Sequence, residues 1–170
     1  MKRFFFALWP DAVTRQKLDN VNRSINLQGV RKLRPSNLHV TLLYMGQLDA
    51  DVLTEITHQA NEIRSPAFSL KFDSLEYWRK PRTICLTSSE QPQSLLDLVE
   101  KLVKIVERYP VHLHNRPYRA HVTLMRKAKQ AYPACPEVIP WLANDYVLVE
   151  SISTPNGIVY EVVARWSLLK

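Results

Sequence analysis

Glycine is scarce in this chain, with three against eleven prolines among 170 residues. Breaks between elements therefore come mostly from proline, and no GxxxxGK[ST] loop is present to cradle a nucleoside triphosphate. Any bond-joining chemistry would have to draw on energy stored in its own substrate. The two cysteines, Cys85 and Cys135, form neither a CxxC pair nor the spacing of a disulfide framework or zinc ribbon, so a reduced, cytoplasmic setting is expected. Long apolar runs are missing too. The opening stretch from Phe4 to Trp9 is broken by Pro10-Asp11, too short for a secretory h-region or a membrane span. No linker or low-complexity tract divides the sequence, so a single domain over residues 1–170 is expected.

What is present is a core and an excess of positive charge. Hydrophobic residues make up 46% of the chain, which excludes a disordered polymer, and the formal net charge is +7. A surface of that sign attracts polyanions, nucleic acid and phosphorylated metabolites ahead of acidic proteins. The charge is unevenly spread. No Asp or Glu occurs from Asn20 to Leu48, where Arg23, Arg31, Lys32 and Arg34 fall, nor from Arg108 to Pro136, where Arg116, Arg119, Arg126, Lys127 and Lys129 fall.

Periodicity predicts strands near 3–8, 38–44, 67–77, 82–87, 120–126, 146–153 and 158–168, the last two joined by the hairpin signal Pro155-Asn156-Gly157. Helices are predicted from Asp11 to about Ile25, with Leu18, Val21 and Ile25 on one face, and from Asp49 to about Ile63. A third runs from Pro92 to Arg108 behind Leu95, Leu98, Val99, Leu102 and Val106. Residues 132–140 read as a proline-broken loop. Strands and helices mix without a strict βαβ rhythm, which favours an α+β fold with antiparallel sheets.

Both acid-free windows contain the same tetrad, His-Val-Thr-Leu, at 39–42 and at 121–124. On a strand the histidine and threonine share one face and the two apolar residues the other. One such pair is most often a hydrogen-bonded surface or core feature; two copies, each in a basic window and on a predicted strand, suit a site that handles phosphate. Threonine hydroxyls donate to non-bridging oxygens, and arginine supplies a bidentate fork. Of two imidazoles, one can take a proton from water while the other gives one to a leaving oxygen, the two transfers that phosphodiester cleavage needs. This scheme needs no cofactor or metal, and the lack of carboxylates near either motif argues against a two-metal site.

Other candidates carry less. His112 and His114 would share a face in an extended segment and could ligate a metal, but no carboxylate or cysteine lies near them in sequence, and a supporting or substrate-contact role is expected. His58 falls on the second predicted helix as an exposed residue. Trp9, Trp78, Trp141 and Trp166 are assigned to packing. The stretch 76–82, Glu-Tyr-Trp-Arg-Lys-Pro-Arg, stays open between a solvated hairpin tip and a segment that contacts a nucleic acid.

Taken together, the opening RFFFALWP, the elements NLHVTLLYMGQ and RPYRAHVTLMR, and the closing YVLVESISTPNGIVYEVVARWSL resemble the two-histidine phosphoesterase superfamily. The likeness is to its bacterial 2'-5' RNA ligase or RNA 2',3'-cyclic phosphodiesterase family, over nearly the whole chain. The resemblance implies a bilobal, pseudo-symmetric α+β fold, with two interleaved lobes that each carry one motif on a strand facing a basic cleft. It implies hydrolysis of a terminal RNA 2',3'-cyclic phosphate to a 2'-phosphate without metal, with a reversible 2'-5' ligation on tRNA halves. By the same analogy His39 is the proton donor to the departing O3' and His121 the acceptor that activates water, an order the sequence alone does not decide. Thr41 and Thr123 hold the phosphate, Arg126 neutralises it, Tyr44 stacks a base and Arg119 contacts substrate. The expected state is a cytoplasmic monomer that meets RNA ends and no membrane. Ala120 stands where the family often has proline, and Tyr44-Met45 where it usually has phenylalanine and leucine; neither change touches a proposed catalytic atom. The same cleft would also serve a non-catalytic RNA-binding module, or a phosphodiesterase acting on a small cyclic or 2'-5'-linked nucleotide.

Overall fold

The computed structural model describes residues 2–113, 116–134 and 136–169. Strand β1 (Arg3–Leu8) sends Phe4, Phe6 and Leu8 into the main core and Phe5 and Ala7 to the opposite face, as the two-residue period requires. Helix α1 (Ala12–Ser24) begins at Asp11, whose carboxylate accepts the Thr14 amide at 2.7 Å. Leu18 and Ile25 are buried from this segment, together with Asn22, whose amide donates to the Leu33 carbonyl at 3.0 Å. A two-residue strand, β2 (Arg31–Lys32), and a short 3-10 helix (Pro35–Asn37) lead into β3 (Val40–Gly46).

Helix α2 (Ala50–Ala60) follows, then β4 (Phe68–Phe72), β5 (Ser74–Trp78) and β6 (Thr83–Thr87). Helix α3 (Gln93–Val106) buries the face its periodicity marked, Leu95, Leu98, Leu102 and Val106, with Ile105 beside them. The chain closes with β7 (His121–Arg126), β8 (Ile139–Ala143), β9 (Asp145–Thr154) and β10 (Gly157–Ser167). Gly157 has φ +110°, a conformation that strains any residue with a Cβ, which is why glycine opens β10.

The fold is α+β, with two antiparallel sheets. The larger runs β10-β9-β1-β3-β7-β6-β5, with β2 also on β7; the smaller pairs β4 with β8. Within the larger sheet β3 and β7 meet through one registered pair, Val40 opposite Val122, so β10-β9-β1-β3 and β7-β6-β5 adjoin at a narrow seam. Buried residues of all three helices join Phe4, Phe6, Leu8, Val40, Leu42, Val122 and Leu124 in one cluster. The other face carries a small cluster of Phe5, Ala7, Val147 and Val149, against which Trp9 and Tyr160 pack.

Three details depart from the sequence expectation. Residues 67–77 form two strands in different sheets, divided at Asp73, whose carboxylate accepts the Ser89 amide at 3.1 Å and turns the chain. The span 132–140 is not all loop: β8 starts at Ile139, buries Ile139, Trp141 and Ala143, and points Pro140 outward, where the two-stranded sheet tolerates a residue without an N–H. Asp49 sits at the start of α2 but makes no side-chain capping bond. Among the described residues no helix is long and apolar enough to cross a membrane.

Candidate active site

The seam creates the site. Since Val40 faces Val122 in antiparallel register, one further step in each direction sets His39 across from Thr123 and Thr41 across from His121. The two valines are fully buried in the core, and the alternation of side chains turns the four polar residues to the other face. They line one cavity of about 510 Å³ with Phe5, Tyr44, Trp78, Lys80, Arg126 and Tyr160, and among the described residues no Asp or Glu lines it.

His39 stands between the 3-10 helix and β3. Its Nδ1 lies 2.7 Å from the Asn37 carbonyl and its Nε2 3.0 Å from Thr41 Oγ1. A carbonyl only accepts, so Nδ1 carries the proton and Nε2, with the lone pair, accepts from the threonine hydroxyl. Phe5 lies 4.9 Å from the imidazole centroid, Tyr160 meets it edge-on at 5.1 Å, and Trp9 stacks on it at 5.7 Å with 20° between the planes. Desolvation by these surroundings pushes the imidazole down to about 4; the Asn37 hydrogen bond opposes this, and the charges of His121, Arg126 and Arg15 reinforce it.

His121 opens β7 with a matching arrangement. Its Nδ1 lies 2.8 Å from the Arg119 carbonyl, which selects the same tautomer. The Trp78 ring lies 4.5 Å away. Burial again lowers its pKa below the ordinary value, opposed by the Arg119 hydrogen bond and reinforced by Arg119 and Arg126. Both imidazoles are therefore neutral at pH 7, with each Nε2 able to accept a proton.

Long-range contacts hold these pieces. Arg15 donates to the carbonyls of Pro35 at 2.8 Å and Pro10 at 3.1 Å and lies over the Trp9 ring, so one guanidinium ties α1 to the segment before His39. The Tyr118 hydroxyl donates to the Thr41 carbonyl at 3.1 Å. Glu76 accepts from Trp78 Nε1 at 3.0 Å, from Thr87 at 2.9 Å and from both terminal nitrogens of Arg119. Burial alone would raise the Glu76 carboxyl; the hydrogen bonds from Trp78, Arg119 and Thr87 outweigh it and hold the pKa below the usual value.

His39, Thr41, Tyr44, His121, Thr123 and Arg126 thus share one cavity. Arg119 does not line it: the side chain is turned onto Glu76, and its connection to the site is the carbonyl that holds His121. The assignment of the tryptophans to packing holds for buried Trp141, for Trp166, which stacks on Tyr146, and for Trp9, which packs on the Phe5 cluster and stacks on His39 as well; Trp78, in the stretch left open, lines the cavity against His121. Nothing local marks the two contacts with the histidines. Of the stretch 76–82, Trp78, Lys80 and Pro81 line the cavity. His58 is exposed on α2, and His112 is exposed in an irregular segment, while its companion His114 lies outside the described residues. Among the described residues no three histidines, cysteines or carboxylates gather as a metal site.

A family model described as the 2'-5' RNA ligase superfamily matches residues 9–150. The chain belongs to the 2'-5' RNA ligase superfamily. Among members of this superfamily, it is 27% identical over 170 residues to an RNA 2',3'-cyclic phosphodiesterase of Escherichia coli, covering 98% of this chain and 97% of that one. A protein of the same description from Archaeoglobus fulgidus is 25% identical over 175 residues, with 94% and 96% covered. The crystal structure of E. coli LigT complexed with 3'-AMP superposes with a TM-score of 0.93 at 26% identity, covering 99% of each chain.

Proposed function

We propose that this superfamily member is a metal-independent phosphodiesterase that opens the 2',3'-cyclic phosphate at an RNA end to leave a 2'-phosphate. One observation carries the reading: two imidazoles of the same tautomer and two threonine hydroxyls share a cavity with Arg126 and without a carboxylate. The named activity of the E. coli and A. fulgidus relatives supports it. Thr41 and Thr123 donate to the non-bridging oxygens, and Arg126 neutralises their charge. His121 Nε2 takes a proton from water as the water oxygen bonds to phosphorus. The bond from phosphorus to O3' breaks, and a protonated His39 Nε2 gives its proton to that oxygen. One water is consumed and the two histidines exchange their protons with solvent afterwards.

Both imidazoles begin neutral, so the substrate must help to load the donor. A bound phosphate anion raises both pKa values, and the aromatic faces of Phe5 and Trp9 stabilise an imidazolium at His39 once that anion lies near it. We read the chain as a single cytoplasmic, monomeric domain whose two lobes carry one motif each and whose partners are RNA ends, tRNA fragments among them. Replacing water by a ribose 5'-hydroxyl in the same geometry, with the bond to O3' broken as before, gives 2'-5' ligation in place of hydrolysis, and that ligation reverses when the O3' attacks the new diester and the 5'-hydroxyl leaves.

Phosphorus NMR of a nucleoside 2',3'-cyclic monophosphate with the protein in excess EDTA tests this. Appearance of the 2'-phosphate, abolished in His39→Ala and His121→Ala, is expected. No turnover of that nucleotide or of an RNA ending in the cyclic phosphate overturns the reading, and turnover lost on chelation overturns its metal-independence.

A further inference from the structure

A second hollow, of about 280 Å³, adjoins the cleavage cavity and shares Leu33, Arg126 and Tyr160 with it. Its remaining lining includes Arg31, Lys32 and Arg34 from the segment ahead of His39, and Asn156 and Ile158 from the turn between β9 and β10, and among the described residues no carboxylate lines it. Arg31 and Arg126 are direct partners in the β2–β7 register. Like charges opposite each other on neighbouring strands destabilise the pair, and an anion between them removes that cost. Among the described residues none of Arg31, Lys32, Arg34 and Arg126 forms an ion pair with a carboxylate.

The hollow is also pre-formed. Arg34 donates to the Asn156 carbonyl at 3.0 Å and the Asn37 amide to the Ile158 carbonyl at 2.9 Å, which fastens the β9–β10 turn to the residues that present His39. Arg126 lies on both sides of the boundary: it lowers the pKa of both histidines and it lines the second hollow. Leu33, Ile158 and Tyr160 add an apolar wall against which a nucleoside can lie.

Resting on the cyclic phosphodiesterase reading, we infer that this hollow holds the internucleotide phosphate and nucleoside immediately 5' of the cyclic end. The substrate class is therefore an oligonucleotide. A nucleoside cyclic monophosphate fills the cleavage cavity alone.

The test compares kcat/KM for a nucleoside 2',3'-cyclic monophosphate and for a trinucleotide ending in the cyclic phosphate. The proteins are wild type, Arg31→Gln, Arg31→Gln/Lys32→Gln and, as a charge control outside both cavities, Lys71→Gln. A parallel arm measures fluorescence anisotropy of a labelled trinucleotide ending in a 3'-phosphate, which is not turned over. Wild type should prefer the trinucleotide, and the double variant should lose about tenfold for it, the worth of one charged phosphate contact. Its mononucleotide activity should stay within about twofold, and the salt slope for the trinucleotide should fall by about 0.7 per lost contact. Equal losses on both substrates, losses matched by Lys71→Gln, or no wild-type preference overturns the inference. If wild type turns over neither substrate, the underlying reading fails instead, and the anisotropy arm still decides: a Kd unmoved in the double variant overturns the hollow as a phosphate site, and one raised about tenfold upholds it.

Discussion

Val40 and Val122 stand opposite each other as the registered pair between β3 and β7, and both are fully buried. Two motifs about eighty positions apart in sequence are brought together by this contact between side chains that perform no chemistry. Val122→Ala should destabilise the fold by about 2 kcal/mol, the burial of two methyl groups plus a residual cavity. Urea unfolding measures this, and a loss of kcat beyond the unfolded fraction would show that the seam also sets the distance between His39 and His121. An unchanged midpoint would mean that the seam is held elsewhere.

His39→Ala and His121→Ala should each lower kcat/KM by about 10²–10⁴-fold, the range for removing one proton-transfer group. The double variant should be little worse than the poorer single one, because the two transfers belong to one event. Multiplicative losses in the double variant would show that the histidines act in separate steps.

The pH dependence follows from the depressed histidines. With His39 at about 4 and His121 below its ordinary value, the singly protonated enzyme is populated on the acid side of neutrality, and kcat/KM should be bell-shaped with its acid limb at about 4. The kcat profile, which reports the bound state, should lie at higher pH because the phosphate anion raises both values. Stability moves the other way from that of a paired histidine. The folded state disfavours the proton that the unfolded state accepts near 6.5, so stability is lost as pH falls from 6.5 towards 4. His39→Gln should flatten that fall in thermal or urea unfolding, and an unaltered slope would locate it in other groups.

Glu76→Gln should separate positioning from chemistry. The substitution removes the charge that neutralises Arg119 and loosens the hold on Trp78, which packs on His121. With Arg119 uncompensated, its charge lowers the His121 pKa further, so the corresponding limb of the kcat/KM profile should shift to lower pH while kcat falls about tenfold and KM changes little. A profile that keeps its limbs would assign Glu76 to stability alone.

Much of this was legible in the chain. The alternation in His-Val-Thr-Leu puts the imidazole and hydroxyl on one face in any strand, and the absence of acid around both tetrads marks where an anion is tolerated. The apolar period of α3 and the Asn-Gly hairpin are equally local, since each depends on consecutive residues and their backbone preferences. Asp73, by contrast, divides one apparent strand into two sheets through Ser89, and β8 lies in a segment whose prolines hide its alternation.

The site's surroundings belong to the tertiary structure. Nothing in the local sequence sets Trp9 beside His39, Trp78 beside His121 or Arg119 beside Glu76; the strand register brings each pair together. Composition and period determined which residue types could share a face. Which ring covers which imidazole, which carbonyl selects its tautomer and how far its pKa falls depend on burial and on pairing between distant strands, and these arise only when the seam at Val40 and Val122 closes.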